Sequence, residues 1–228
     1  TYGKTRFIDF SFSMYKRKYG FDFFIGDYKG YFLKDRDYYN ISKEDKDGVR
    51  SDLQTSVLGF NAFYIFSDTF SFSAAFNQSE KQLKSSGSFL LMFSFRGFSV
   101  KSDYALIPAS QQIKYEDDAG FTGGEFASLG LSAGYAYAFI YNNYYFTPAI
   151  FWGFGTMEKK YKSGDKERIK SESYSSANIR FSVGYNSEQY FGGINGFGDL
   201  TTTEAFEGDG LKVSIMNIFV EIFAGIRL

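Results

Sequence analysis

Ten polar residues stand out by position: Asp9, Asp22, Asn61, Lys101, Asp103, Asn178, Arg180, Asn217, Glu221 and Arg227. Each falls on the small or polar face of a segment whose opposite face is large and apolar. Five of them (Asp9, Asn61, Asp103, Arg180 and Glu221) lie about five to seven residues from a tight-turn signal or from the C-terminus, so barrel strands would bring them to one level. A ring of that kind is a constriction that selects hydrophilic solutes by charge. The same residues can instead pair into a salt-bridged filling, because interior charges must be paired or hydrated. Phe24, Phe151, Phe219 and Phe223 share the inward parity and argue for a partly filled interior. Asp9, Asp103 and Glu221 also offer carboxylates for general acid/base work, on parity alone and without a motif.

Composition removes other chemistry. The 228 residues include no Cys and no His, which excludes disulfides, thiolate nucleophiles, His-dependent triads and His-based zinc sites. The expectation is a protein that is not an enzyme and has no cofactor. The acidic stretches "EDKDG" (44–48) and "EDDAG" (116–120) lack the spaced ligands of a calcium loop. "SGDKER" and "EGDGL" lack the glycines and Lys-Ser/Thr of a phosphate loop. Lys plus Arg number 25 against 26 Asp plus Glu, so nucleic acid is not an expected partner. The basic run "EKKYKSGDKERIK" reads as a solvated face able to touch lipid-borne phosphate. In "NQSEKQLKSSGSFLL" (77–91), Ser79 is followed three residues on by Gln82 rather than Lys, and there is no Gly-x-Ser-x-Gly elbow. Ser85, Ser86 and Gly87 suit a turn, so Asn77 to Gly87 reads as an exposed hairpin end among the longer loops.

The elements that carry these residues are strands. Alternation of period two runs the length of the chain. In "FIDFSFSMY", Ile8, Phe10, Phe12 and Met14 share one face and Asp9, Ser11 and Ser13 the other. "SLGLSAGYAYAF", "FTPAIFWGF" and "ANIRFSVGYN" repeat the pattern with Gly, Ser and Ala opposite Leu, Phe, Trp and Tyr. With 29 Phe, 19 Tyr, 24 Gly and only 2 Pro, this is an all-β composition, and an unusual one for a soluble protein.

About eleven strands are expected, near 5–15, 20–33, 51–66, 70–78, 87–95, 98–106, 126–140, 144–157, 174–186, 189–199 and 211–228. Tight turns at "KRKYG", "SDT", "RG", "YNN" and "NSEQ" alternate with longer loops at 34–50, 77–87, 108–125, 158–173 and 201–210. No run of 18 apolar residues exists for a membrane helix. The pattern predicts a single-domain (1–228) transmembrane antiparallel up-and-down β-barrel with its apolar face outward. Even strand counts keep both termini on the inner side, so an eleven-strand reading implies about 12 strands with one before Thr1, or ten if "FSVKSDYALI" is misread.

The runs "YGFDFFIGDYKGYF", "SDLQTSVLGFNAFYIFSDTFSFSAAFNQSEKQLKSSGSFLL", "LSAGYAYAF" and "IRFSVGYNSEQYFGG" resemble the family called domain of unknown function 4421, with Phe70 to Leu91 the most specific part. The resemblance implies an outer-membrane barrel of Bacteroidota with a further strand preceding the first one here. It implies no activity and no catalytic residues. The last strand, "IFVEIFAGIRL", keeps Val220, Ile222, Ala224, Ile226 and Leu228 apolar but ends in Leu where such barrels usually end in an aromatic residue.

Two functions follow as expectations. One is a small channel or solute-binding barrel with a charged lumen. The other is a structural barrel with a filled lumen, a subunit of a larger outer-membrane assembly. The expected partners are outer-membrane lipid, lipopolysaccharide and other outer-membrane proteins.

Overall fold

The computed structural model describes residues 5–32, 48–109, 112–115, 119–163, 166–204 and 212–227. It contains nine strands and two short helices: β1 (Arg6–Tyr15), β2 (Tyr19–Phe32), β3 (Val49–Ile65), α1 (Phe72–Phe76), β4 (Ser86–Lys101), α2 (Gln112–Tyr115), β5 (Phe121–Tyr141), β6 (Tyr144–Ser163), β7 (Lys166–Asn186), β8 (Tyr190–Glu204) and β9 (Lys212–Ile226). All nine form one antiparallel sheet in sequence order, curled as half a barrel. Among the described residues, β1 pairs only with β2, and β9 only with β8.

The alternation decides which side of the sheet faces in. Ile8, Phe10, Leu129, Leu131, Phe146, Ile150, Trp152, Phe154, Ile179 and Phe181 lie exposed on the convex face. Asn61, Ser94, Ser128, Ser132, Thr147, Asn178, Arg180, Ser182 and Asn195 are buried on the concave face. This reverses the usual soluble order of apolar inside and polar outside.

Among the described residues the strand count is nine, not eleven, for two local reasons. The segment expected as a strand at 70–78 contains α1, because the alternation of "FSFS" breaks at Ala74 and Ala75. Ser71 caps the helix, its Oγ accepting from the Ala74 N–H at 3.0 Å. Phe72 and Phe76 then fall four apart, on one side of the helix. The expected turn at Arg96-Gly97 does not form. β4 runs through it with unbroken register against β3 and β5, since leaving the ladders would orphan backbone groups on both sides. Gly97 faces outward into open space, with only Leu58 Cβ in contact range of an added Cβ, at 3.9 Å.

Without a strand at 70–78, the segment 66–85, which holds Asn77 to Ser85, lies at the opposite end of the sheet from the one expected, and Ser86 and Gly87 open β4. The 66–85 segment joins the tight turns at 16–18, 142–143 and 187–189. The expected loop at 158–173 is also corrected: β6 and β7 stay paired up to Ser163 opposite Lys166. At the turn end the 66–85 segment folds inward, and Phe70, Phe72, Ala75 and Phe76 form one cluster with Tyr15, Phe63, Ile65 and Phe151 from the sheet wall.

Candidate functional site

The concave face holds a connected polar chain in its middle. Arg180 on β7 is 3% exposed, and its Nη2 lies 2.7 Å from Asp22 Oδ2 on β2. Its Nη1 is 3.2 Å from the Tyr15 hydroxyl, which donates to Asp22 Oδ1. Its Nε donates to Asn178 Oδ1 at 3.2 Å. Asn178 in turn donates through Nδ2 to Asp199 on β8, and Asp199 pairs with Arg96 on β4 at 3.1 Å. The guanidinium of Arg180 also lies over the rings of Phe63 and Phe197, at 4.6 and 5.3 Å. Buried charges are tolerable where every donor finds an acceptor, and here Arg180 has its acceptors.

Beneath this chain sits the plug made by 66–85. The last carbonyls of a helix have no partners within it. Here the wall supplies them: Ser182 Oγ donates to Ala75 O at 2.6 Å, Asn195 Nδ2 to Phe76 O at 3.3 Å, and Arg227 Nη2 to Gln78 O at 3.1 Å. Gln78, at φ 53°, turns its amide back to Ala75 O at 2.6 Å and to the Tyr145 hydroxyl at 3.1 Å. Ser73 Oγ donates to Tyr15 O at 2.8 Å. Phe72 stacks on Phe63 with ring centroids 5.6 Å apart and meets Tyr15 at 5.0 Å; Phe76 meets Phe197 at 6.0 Å and Phe63 meets Phe151 at 5.8 Å. Gly134 leaves room for the Phe151 ring, which covers the wall where any Cβ would stand.

Of the residues singled out in the sequence, Asp22, Asn178 and Arg180 are joined directly in this network. Asn61 is 2% exposed and sits in register between Asp22 and Ser94, its Oδ1 without a hydrogen-bond partner among the described residues. Arg227 binds the plug and also donates to Ser187 O at 2.7 Å. Asp9 and Glu221 stand on the concave faces of the two outermost strands, taking hydrogen bonds from the Tyr28 hydroxyl and, at 3.3 Å, from Asn195 Nδ2. Lys101 is the last residue of β4 and exposed on the outward parity, because the strand runs straight through the expected turn. Asp103 follows β4 at the loop end, so Asp9, Asp103 and Glu221 do not converge. The side chain of Asn217 lies outside the described residues; its backbone pairs with Asp199. The stretches 44–47 and 116–118 also lie outside them.

Tyr15, Arg96, Asp199, Ser182, Asn195 and Gln78 complete the site and were not singled out. Arg96 carried a turn reading, and Tyr15 is the last residue of its strand. Ser182 and Asn195 share the inward parity of Arg180, which is the signal that could have found them.

At the loop end a second anchor holds the chain after β4. Arg50 pairs with Asp52 through two contacts, 3.0 and 2.9 Å, and donates to Ala105 O at 2.9 Å and Tyr104 O at 3.0 Å. Its guanidinium lies 3.9 Å from the centre of the Tyr104 ring, and the Asp103 N–H donates to Asp52 Oδ2 at 3.1 Å. The hydrogen bonds from Arg50 hold the Asp52 carboxyl well below the usual carboxylate range.

An antiparallel up-and-down sheet of nine strands, curled around an inserted segment of its own chain, is the class of protein that this fold and site define. The model for the family described as domain of unknown function (DUF4421) matches residues 1–227, and the chain belongs to that family. No curated protein matches it.

Proposed function

We propose that this protein is an integral β-barrel of a Gram-negative outer membrane, of the kind found in Bacteroidota, not an enzyme. The supporting observation is the outward face of β6. From Tyr144 to Phe154, a span of eleven residues, the outward residues Tyr144, Phe146, Ile150, Trp152 and Phe154 are exposed and Pro148 is half-buried, and none carries a charge. A transmembrane strand needs about 9 to 11 residues. Beyond Phe154 the outward residues become Thr156, Glu158 and Lys160. Tyr19, Tyr64, Tyr141, Tyr144, Tyr185 and Tyr190 are exposed around the turn end, as an interfacial aromatic girdle would be. The remaining lengths of β6 and β7, with the Lys160–Glu167 pair at 3.0 Å, stand above the apolar band where lipopolysaccharide phosphates lie. Carbonate extraction of membranes that contain the protein tests this; release into the soluble fraction overturns it.

Closure follows as part of the same reading. β1 and β9 both run toward the turn end, so direct pairing between them would be parallel. One strand running the other way would pair antiparallel with both and make ten, the lower end of the range expected from the sequence.

The lumen is the part that decides function. Phe72 and Phe151 are 0% exposed at its turn end, and Arg180 is engaged by Asp22, Tyr15 and Asn178. This filling favours a structural barrel, a membrane-embedded subunit whose loops and outer surface meet other outer-membrane proteins, over a solute channel. In planar bilayers the intact protein is expected to be silent, and a variant with 70–77 replaced by a Gly/Ser linker to conduct. A stable conductance from the intact protein overturns the filled-lumen reading and restores a small channel with a charged lumen.

A further inference from the structure

The plug fills the turn end unevenly. Phe72 and Phe76 press on the rings of Tyr15, Phe63 and Phe197, whereas Ala74 and Ala75 line a narrow cleft against Ala138 on β5, Thr147 on β6 and Asn186 on β7. The cleft opens toward the turns beside Lys81 and has room for about one water-sized group. Two side chains within it are buried and unsatisfied. Thr147 is 1% exposed and Asn186 5%, and the Thr147 hydroxyl and Asn186 Oδ1 have no hydrogen-bond partner among the described residues. Such groups are costly to bury unless something bonds them. Lys81 is half-buried, and its Nζ donates to Asn143 Oδ1 at 3.3 Å, with no carboxylate paired to it among the described residues. Glu80 meets the lining residue Ser71 at 2.6 Å, but it is exposed and does not line the cleft.

We propose that this cleft binds one small monovalent anion, of the size of chloride, between the Lys81 ammonium, the Thr147 hydroxyl and the Asn186 amide. The sign follows from the lining: an ammonium borders the cleft and, among the described residues, no carboxylate lines it. The size follows from the room, which is too small for sulfate or phosphate. Thr147 donates its hydroxyl proton, and Asn186 presents Nδ2 once its amide turns over, which releases only the 3.5 Å contact with the Glu80 carbonyl. Lys81 belongs to the plug segment, and Thr147 and Asn186 belong to the wall. The anion therefore pins one to the other. This inference rests on the plug and its cleft alone and holds whether or not the sheet closes into a membrane barrel.

Amide exchange of the folded chain in detergent tests this, read by mass on peptides covering 70–79, in sodium chloride and in sodium gluconate at equal ionic strength. Gluconate is too large for the cleft, so screening is matched and only binding differs. Chloride is expected to slow exchange in 70–79 saturably, by about tenfold at ten times its Kd, because it binds the closed plug and not the open one. Bromide is expected to act in the same way. Lys81→Gln and Thr147→Val, with circular dichroism confirming the fold, are each expected to abolish the difference between the salts. Lys81 is only half-buried, so its variant carries the test if Thr147→Val does not fold. Equal exchange of the unaltered protein in chloride and gluconate overturns the proposal and leaves water as the occupant. A chloride effect that survives Lys81→Gln places the anion elsewhere and overturns it as well.

Discussion

Arg180 and Asp22 meet at 2.7 Å although four strands of the sheet, β3 to β6, separate the strands that carry them. Contact between β7 and β2 requires the sheet to curl back on itself, and the pair closes the middle of the interior from wall to wall.

Removing one member of this pair strands the other. Arg180→Ala is expected to lower unfolding stability by about 3 to 5 kcal/mol, because Asp22 is left buried without its cation. Asp22→Leu with Arg180→Met is expected to cost much less, since no charge is left behind. Urea unfolding in detergent micelles measures both, and equal losses for the single and double variants would argue against a paired buried charge.

The plug depends on its rings. Phe72 is completely buried, and Phe72→Ala is expected to cost about 3 kcal/mol or more through lost burial and the cavity left behind. Because α1 is tied to the wall through side chains rather than through a backbone ladder, loosening is expected to be local. Trypsin should then cut faster at Lys81 and Lys84 while the strands keep their circular dichroism signal. Unchanged cleavage would mean that the segment is held by something other than its aromatic packing.

The concave glycines are not equivalent to the outward ones. A Cβ on Gly134 would run into the Phe151 ring and the Ile150 carbonyl. Gly134→Val is expected to destabilise by about 1 to 3 kcal/mol through overpacking. Gly97→Ala has room, and relief of glycine's entropy cost should leave stability equal or slightly higher. Parallel thermal melts of the two variants distinguish a site-specific steric effect from a general intolerance of substitution.

Acid should release the loop-end anchor. Asp52 has a depressed carboxyl pKa in the folded protein, so its contribution is present above the unfolded value of about 3.9 and is lost progressively as pH falls below it toward the folded value. Asp52→Asn lacks that contribution at every pH. The stability gap between the two proteins is therefore expected to be constant near pH 6 to 7 and to shrink below about pH 4. A gap that widened on acidification would contradict the Arg50 to Asp52 assignment.

The faces of the sheet were legible because a strand has only two sides, and Phe10, Trp152 or Ile179 opposite Asp9, Gly153 or Asn178 states the pattern outright. The orientation of Arg180, Asn178 and Asp22 came from the same parity. The plug was not legible. Five residues make too short a helix to show a 3.6 period, and "FSFSAAF" begins with the alternation of a strand. Arg96-Gly97 misled for a related reason: Gly marks turns when nothing pairs with it, and here both neighbouring strands do. That misplaced turn put Lys101 and Asp103 in the lumen, while the strand reading of 70–78 sent the 77–87 segment to the wrong end. The long paired ends of β6 and β7 were hidden by their Lys and Glu content, which resembles a solvated loop until the cross-strand partners are known.

The bond from Arg227 to the Gln78 carbonyl spans 149 positions of the chain. Contacts so distant in sequence form late, since the intervening chain must first be ordered. In the order of synthesis the plug is made well before the strand that carries this tie. The interior therefore cannot seal until β9 has arrived, which makes the seal a report that β9 is in place.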